Sequence, residues 1–298
     1  MKTKLLIGPW SHQVAPWGKE QLGPDGEFED MAFGSHAIGD TVADHLRWYD
    51  TRLKGIDTGM DDEPPIKLFV MGSNKWRFEN EYPLARTEWR DLYLSGNGGL
   101  EEEPAADETS LSFTYDPADP CPSWGAQYQS LDITGPRDRR EVEKRPDVLV
   151  FDGPVLEHDK EITGPVSATL FASSDAPDTD FTAALVDVHP GGVAIILCEG
   201  ICRARFRNGI DRPEMMDPGA VYEFKLDMWD TSNTFLAGHR IRVEVSSSNF
   251  PRYDRNLNTG GRIGYESADE MCVARNTVHF GGAYPSRVHL PVIPAAEA

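Results

Sequence analysis

Of the eight histidines in the chain, His12 has the setting that proton-transfer chemistry asks for. It comes after an apolar run, Leu5-Leu6-Ile7, and a Gly8-Pro9 turn, with Trp10 and Ser11 directly before it. A strand that ends in a tight turn carries the next side chains on a stiff loop. An imidazole held there can take and return a proton near neutral pH. The same setting also suits an ordinary loop histidine. The others have plainer contexts: His36 and His45 flank a helix start, His158 and His189 fall in turns, and His239, His279 and His289 lie in or beside strands. Structural roles are expected for those seven.

The groups such a base would work with are not in the sequence. No G-x-S-x-G occurs, so the strained elbow that exposes a nucleophilic serine is absent, and Gly34-Ser35-His36 and Gly72-Ser73-Asn74 read as turns. There is no phosphate-cradling loop, no H-E-x-x-H and no EF-hand loop. Asp175, Asp178 and Asp180 crowd one segment, but they precede a strand, where Asx turns account for them better than a calcium loop does. Cys121, Cys198, Cys202 and Cys272 form no C-x-x-C pair and no zinc-type spacing. No cofactor and no metal are expected, and unpaired thiols fit a reducing, cytoplasmic setting.

A scaffold for these residues is legible as well. A strand is expected over residues 2 to 7, buried, with no partner nearby in sequence, as if it ended a sheet whose earlier strands lie elsewhere. Asp40-Thr41 opens an amphipathic helix with Val42, Leu46, Tyr49 and Leu53 on one stripe, and Lys54-Gly55 closes it. Asp61-Asp62-Glu63-Pro64-Pro65 reads as a stiff acidic linker, dividing residues 1–62 from 63–298. Beyond it, about ten strand-like runs alternate with turn residues and no helices intervene, which predicts a mainly β, antiparallel sandwich of jelly-roll type. A hydrophobic fraction of 39% in 298 residues supplies core enough for one large domain or two modest ones. The net charge of -20 argues against nucleic acid, and no run approaches the roughly 18 apolar residues of a membrane helix. Neither kind of partner is expected.

Several segments resemble the CocE/NonD serine hydrolases, the cocaine esterase and X-Pro dipeptidyl-peptidase type. Leu5-Leu6-Ile7-Gly8-Pro9-Trp10-Ser11-His12 is similar to that family's histidine motif, and Arg47-Trp48-Tyr49-Asp50-Thr51-Arg52-Leu53-Lys54-Gly55 to its final hydrolase-domain helix. Phe69-Val70-Met71-Gly72-Ser73-Asn74-Lys75-Trp76 resembles the linker into its C-terminal sandwich. Further matches are Ser174-Asp175-Ala176-Pro177-Asp178-Thr179-Asp180-Phe181, Gly238-His239-Arg240-Ile241-Arg242 and Ser247-Ser248-Asn249-Phe250-Pro251-Arg252-Tyr253-Asp254-Arg255-Asn256. The likeness runs from residue 4 to about 293.

The resemblance implies the last strand and helix of an α/β-hydrolase domain followed by a galactose-binding-like jelly roll. It implies that His12 is the triad histidine and that the substrate is a small ester or acyl-peptide or amide. The serine, the acid, the cap and the oxyanion groups are expected upstream of Met1, on the same or a separate chain, so this chain alone is expected to be inactive. Sandwich loops should form one wall of the acyl site, with Asn249 and Phe250 as candidates. Left without its other half, the N-terminal segment is expected to expose an apolar patch and to favour a homo-oligomer. The rival reading is a non-catalytic sandwich that binds a ligand such as carbohydrate, with Trp76, Trp89, Trp124 and Trp229 as stacking platforms. An exposed coplanar aromatic pair would favour it.

Overall fold

The computed structural model describes residues 3–10, 22, 26–125 and 133–295. The molecule opens with a strand-helix-strand unit. Strand β1 is Leu5–Ile7, a small hairpin joins β2 (Glu27–Phe28) to β3 (Met31–Ala32), and helix α1 spans Thr41–Leu53. Strands β4 (Ile66–Val70) and β5 (Lys75–Glu79) come after it. β1 pairs with β4 in parallel, Leu6 opposite Lys67, and β5 continues the sheet antiparallel to β4. Parallel neighbours joined through a helix are the signature of an α/β sheet, because that connection needs a crossover.

Each end of α1 has its cause in the sequence. The Asp40 side chain accepts a hydrogen bond from the Ala43 amide at 2.8 Å, which satisfies a free donor of the first turn. Lys54 ends the helix, and Gly55 adopts φ of 69°, the left-handed stop that glycine takes without strain. The acidic linker is tied down rather than loose: Arg52 grips Asp61 with both nitrogens and Arg47 pairs with Glu63 at 2.7 Å. Lys4 Nζ donates to the Glu63 carbonyl at 2.6 Å.

The rest is a two-sheet sandwich. Its strands are β6 (Glu88–Leu94), β7 (Leu100–Glu101), β8 (Thr109–Tyr115), β9 (Leu149–Asp152), β10 (Lys160–Ser174), β11 (Asp180–Val188), β12 (Ala194–Arg203), β13 (Tyr222–Phe235), β14 (Arg240–Ser246), β15 (Ala274–Phe280) and β16 (Arg287–Ile293). One sheet runs β7-β6-β16-β10-β15-β8 with β13 also paired to β10, and the other runs β12-β11-β14-β9. All pairs within the two sheets are antiparallel. Tyr115, Phe151, Phe181, Phe224, Phe235 and Phe280, drawn from both sheets, are fully buried between them.

Two prolines occupy strands that have neighbours on both sides. Pro165 interrupts β10, where its register with β13 shifts, and Pro291 sits in β16 beside it. The β10–β16 pairing also skips from Ile162 to Ser167 at this level, so neither proline is asked for a ladder hydrogen bond there. A Cβ on Gly164 would come within 2.9 Å of Pro291 Cβ, so glycine is needed for the close approach.

Candidate active site

A cleft of about 370 Å³ opens where the N-terminal unit meets the sandwich. Its walls are the end of β1 through Trp10, Leu68 and Phe69 of β4, Ile196 and Leu197 of β12, and Asp230–Ser232 of β13. The lining is mostly apolar. A polar pair interrupts it: Tyr82 donates its hydroxyl to Asp230 Oδ1 at 2.7 Å, and burial together with that carboxylate pushes the phenol well above its ordinary value.

Trp10 is anchored on two sides at the mouth of this cleft. Its indole N–H donates to the Ala37 carbonyl at 2.9 Å, and its ring lies 5.6 Å from that of Trp76 in a tilted contact. Phe33, Ala37 and Phe69 complete the small core around it. Room for the indole comes from glycine on two sides, since a Cβ on Gly8 would lie 2.6 Å and one on Gly39 2.4 Å from its ring atoms. The Gly8-Pro9-Trp10 turn is therefore held rigidly at the cleft. His12 comes two positions later and lies outside the described residues.

A second concavity, about 500 Å³, separates β1 from α1 and is lined by Leu5, Leu6, Trp48, Met60 and Phe78 among others. A crossover helix ordinarily packs onto its sheet. Here no residue of α1 is buried. The expected stripe lies open to solvent, with Leu46 57% and Leu53 74% exposed and Val42 and Tyr49 exposed as well. β1 differs from the buried strand that its composition predicts: Leu5 is 45% exposed, Ile7 is exposed too, and among the described residues the strand is paired on one edge. Apolar side chains and an open strand edge thus share one face, the arrangement of a surface that other elements normally cover.

The two candidate wall residues do not share the cleft beside Trp10. Asn249 is buried, its Oδ1 has no partner, and it borders a narrow void with Arg139, Glu199 and Glu244. Phe250 lines a separate cleft with Arg203, Arg205 and Arg255, and the Arg255 guanidinium lies 5.1 Å from the centre of its ring. The Asp-rich turn is occupied by arginine. Asp178 accepts from Arg205 Nε at 2.7 Å, Asp180 from Arg203 Nε at 2.8 Å, and Asn256 bridges the two carboxylates.

The tryptophans offer no paired platform among the described residues. Trp76 is packed against Trp10 and Phe69, and Trp124 holds the Arg137 guanidinium over its ring. Trp89 is exposed and stacks on His289, which covers one of its faces, and exposed Trp229 has no aromatic neighbour among the described residues. Of the histidines expected to be structural, His36, His45, His239, His279 and His289 each have a hydrogen-bond partner.

Residues 58–289 match the family model of the X-Pro dipeptidyl-peptidase C-terminal non-catalytic domain. The chain belongs to that family. It is similar to cocaine esterase of Rhodococcus sp. (strain MB1 Bresler), with 43% identity over 98% of this chain and 51% of that enzyme. It therefore spans about half the length of this curated relative. An aminopeptidase from a marine sediment archaeon, Thaumarchaeota archaeon, superposes with a TM-score of 0.84 and 28% identity over 98% of this chain and 50% of its own. A CocE/NonD family hydrolase from Staphylococcus aureus, 15% identical, shares the fold with a TM-score of 0.64 over 87% of this chain and 47% of its own. The CocE/NonD likeness of the motifs and the mainly β class hold. No helix among the described residues is long and apolar enough to cross a membrane.

Proposed function

We propose that this chain is the C-terminal part of a serine hydrolase that cleaves ester or acyl-peptide and amide bonds. Its His12 serves as the triad base, and the chain has no hydrolytic activity by itself. The observation that carries the reading is the unfinished α/β edge: a parallel strand pair whose crossover helix buries none of its residues, directly beside the histidine motif. Relatives named as an esterase and an aminopeptidase support the ester and amide chemistry.

In the assembled enzyme, an upstream strand pairs with the open edge of β1 and core side chains fill the gap under α1. The rigid turn at Trp10 then carries His12 to the serine. The imidazole takes the serine proton during acylation and returns it to the leaving group, and water releases the acyl group in the second half-reaction. The apolar cleft beside Trp10, with Tyr82 and Asp230 as its polar end, is the part of this chain best placed to form a wall of the acyl site. Asn249 and Phe250, which face other cavities, keep at most an indirect role.

The test is p-nitrophenyl acetate turnover by the purified chain against free imidazole at equal concentration. Turnover no greater than imidazole is expected. Turnover well above it that disappears in His12→Ala would show that the nucleophile lies within this chain and refute the reading.

A further inference from the structure

Inside the sandwich, three potential metal ligands that line neither the cleft beside Trp10 nor the concavity under α1 converge. Asp187 is the penultimate residue of β11, His189 is the first residue after that strand, and His239 precedes β14. The pairing of Val188 with Arg240 makes His189 and His239 cross-strand neighbours, and the two-residue alternation puts Asp187 and His189 on the same face. Their rings stand 4.4 Å apart, and one ligand atom from each of the three residues lies within 4.8 Å of the others. Asp187 and His239 are buried and His189 is partly buried.

Hydrogen bonding accounts for only part of this cluster. His239 Nδ1 and Asp187 Oδ1 are 2.7 Å apart, and Asn233 Nδ2 donates to Asp187 Oδ2 at 3.2 Å. His189 Nε2, however, is buried with no partner. Buried polar atoms are nearly always satisfied, so the free ring nitrogen of His189, beside Asp187 and His239, needs a cause. We propose that Asp187, His189 and His239 bind a divalent transition-metal ion of the zinc class.

Two imidazoles and a carboxylate suit such an ion, whereas calcium and magnesium prefer all-oxygen sites. Bonds of about 2.1 Å in a tetrahedral arrangement place neighbouring ligand atoms about 3.4 Å apart, a spacing that small side-chain rotations can reach from here. On binding, the ion replaces the Asp187–His239 hydrogen bond: it bonds to Asp187, to His239 Nδ1, whose imidazole then carries its proton on Nε2, and to His189 Nε2. Asn233 keeps its hydrogen bond to the ligating carboxylate, the outer contact that orients such ligands.

The test uses Zn²⁺ added to the full chain after treatment with chelator and dialysis. Titration calorimetry should give one equivalent bound. Co²⁺ in place of Zn²⁺ should give the visible bands of a four-coordinate centre. His189→Ala, at the partly buried position, should keep the far-UV circular dichroism of the metal-free protein and lose affinity by roughly 100-fold or more. Cys272→Ser, which removes an exposed thiol far from the three ligands in sequence, should bind as the unaltered chain does. Equal affinity in the unaltered chain and His189→Ala, no stoichiometric binding by the unaltered chain, or loss of the site in Cys272→Ser would each overturn the proposal.

Discussion

All nine residues of β11 are buried, and none of the thirteen in α1 is. Both elements carry their apolar side chains in the register that burial requires. The two-residue alternation of β11 sends Phe181, Ala183 and Leu185 into the core between the sheets, and its other face is covered as well. The stripe of α1 has the spacing of a packed helix and yet lies open among the described residues. Amphipathic patterning therefore reports what an element is built to face, and only the sandwich finds that partner within itself. The N-terminal unit is shaped for a surface that the described residues do not supply.

Changing one large side chain in each region separates the two most clearly. Phe181→Ala should cost about 3–5 kcal/mol of unfolding free energy, because its phenyl ring is fully buried against Phe224. Leu46→Glu in α1 should change stability by no more than about 0.5 kcal/mol, as at other exposed positions. Urea denaturation followed by tryptophan fluorescence measures both. A Leu46 variant as damaging as the Phe181 variant would mean that α1 is packed in solution.

A second, smaller effect concerns association. Leu46→Glu combined with Leu53→Glu should shift sedimentation velocity profiles from self-associated species toward monomer, since the double change breaks the apolar face without touching the core. An unchanged profile would remove α1 from any contact between copies.

The smallest effect is pH dependence within the sandwich. Burial pushes His279 below its ordinary value of 6.5, with Glu108 opposing only in part, and its Nε2 lies 2.9 Å from Ser173 Oγ. The folded chain therefore resists protonation that the unfolded chain accepts. Its contribution to stability is present above the unfolded value and is lost as pH falls through the folded one. His279→Gln, which can keep a hydrogen bond to Ser173, should flatten the acid limb of a plot of unfolding free energy against pH. An identical slope would assign that limb to other groups.

Legibility in the sequence tracks local chemistry. α1 is readable because Asp40 and Lys54-Gly55 mark both ends, and β11 because a Pro- and Asp-rich turn precedes a largely apolar run. β10 and β13 are longer than their patterns predict, since Gly164-Pro165 and the polar residues after Met228 look like ends while partner strands carry the ladder through them. β5, Lys-Trp-Arg-Phe-Glu, and β16, Arg-Val-His-Leu-Pro-Val-Ile, alternate polar and apolar residues, but charge in the first and Pro291 in the second mask that pattern. The histidine motif stands out because its residues are contiguous. Asp187, His189 and His239 do not, because their meeting depends on the β11–β14 register, which no local motif encodes.

If the open face serves to complete a serine hydrolase around His12, supplying the other half should restore activity. The most direct measurement is co-expression with the N-terminal half of a full-length relative such as the Rhodococcus cocaine esterase, followed by p-nitrophenyl ester turnover of the purified complex. Strand pairing along the edge of β1 adds main-chain hydrogen bonds to apolar burial, so assembly from two chains is physically reasonable. A stable complex should form with activity that neither half has alone, and His12→Ala should abolish that activity with the complex intact. Full activity in the His12→Ala complex would show that the general base lies elsewhere.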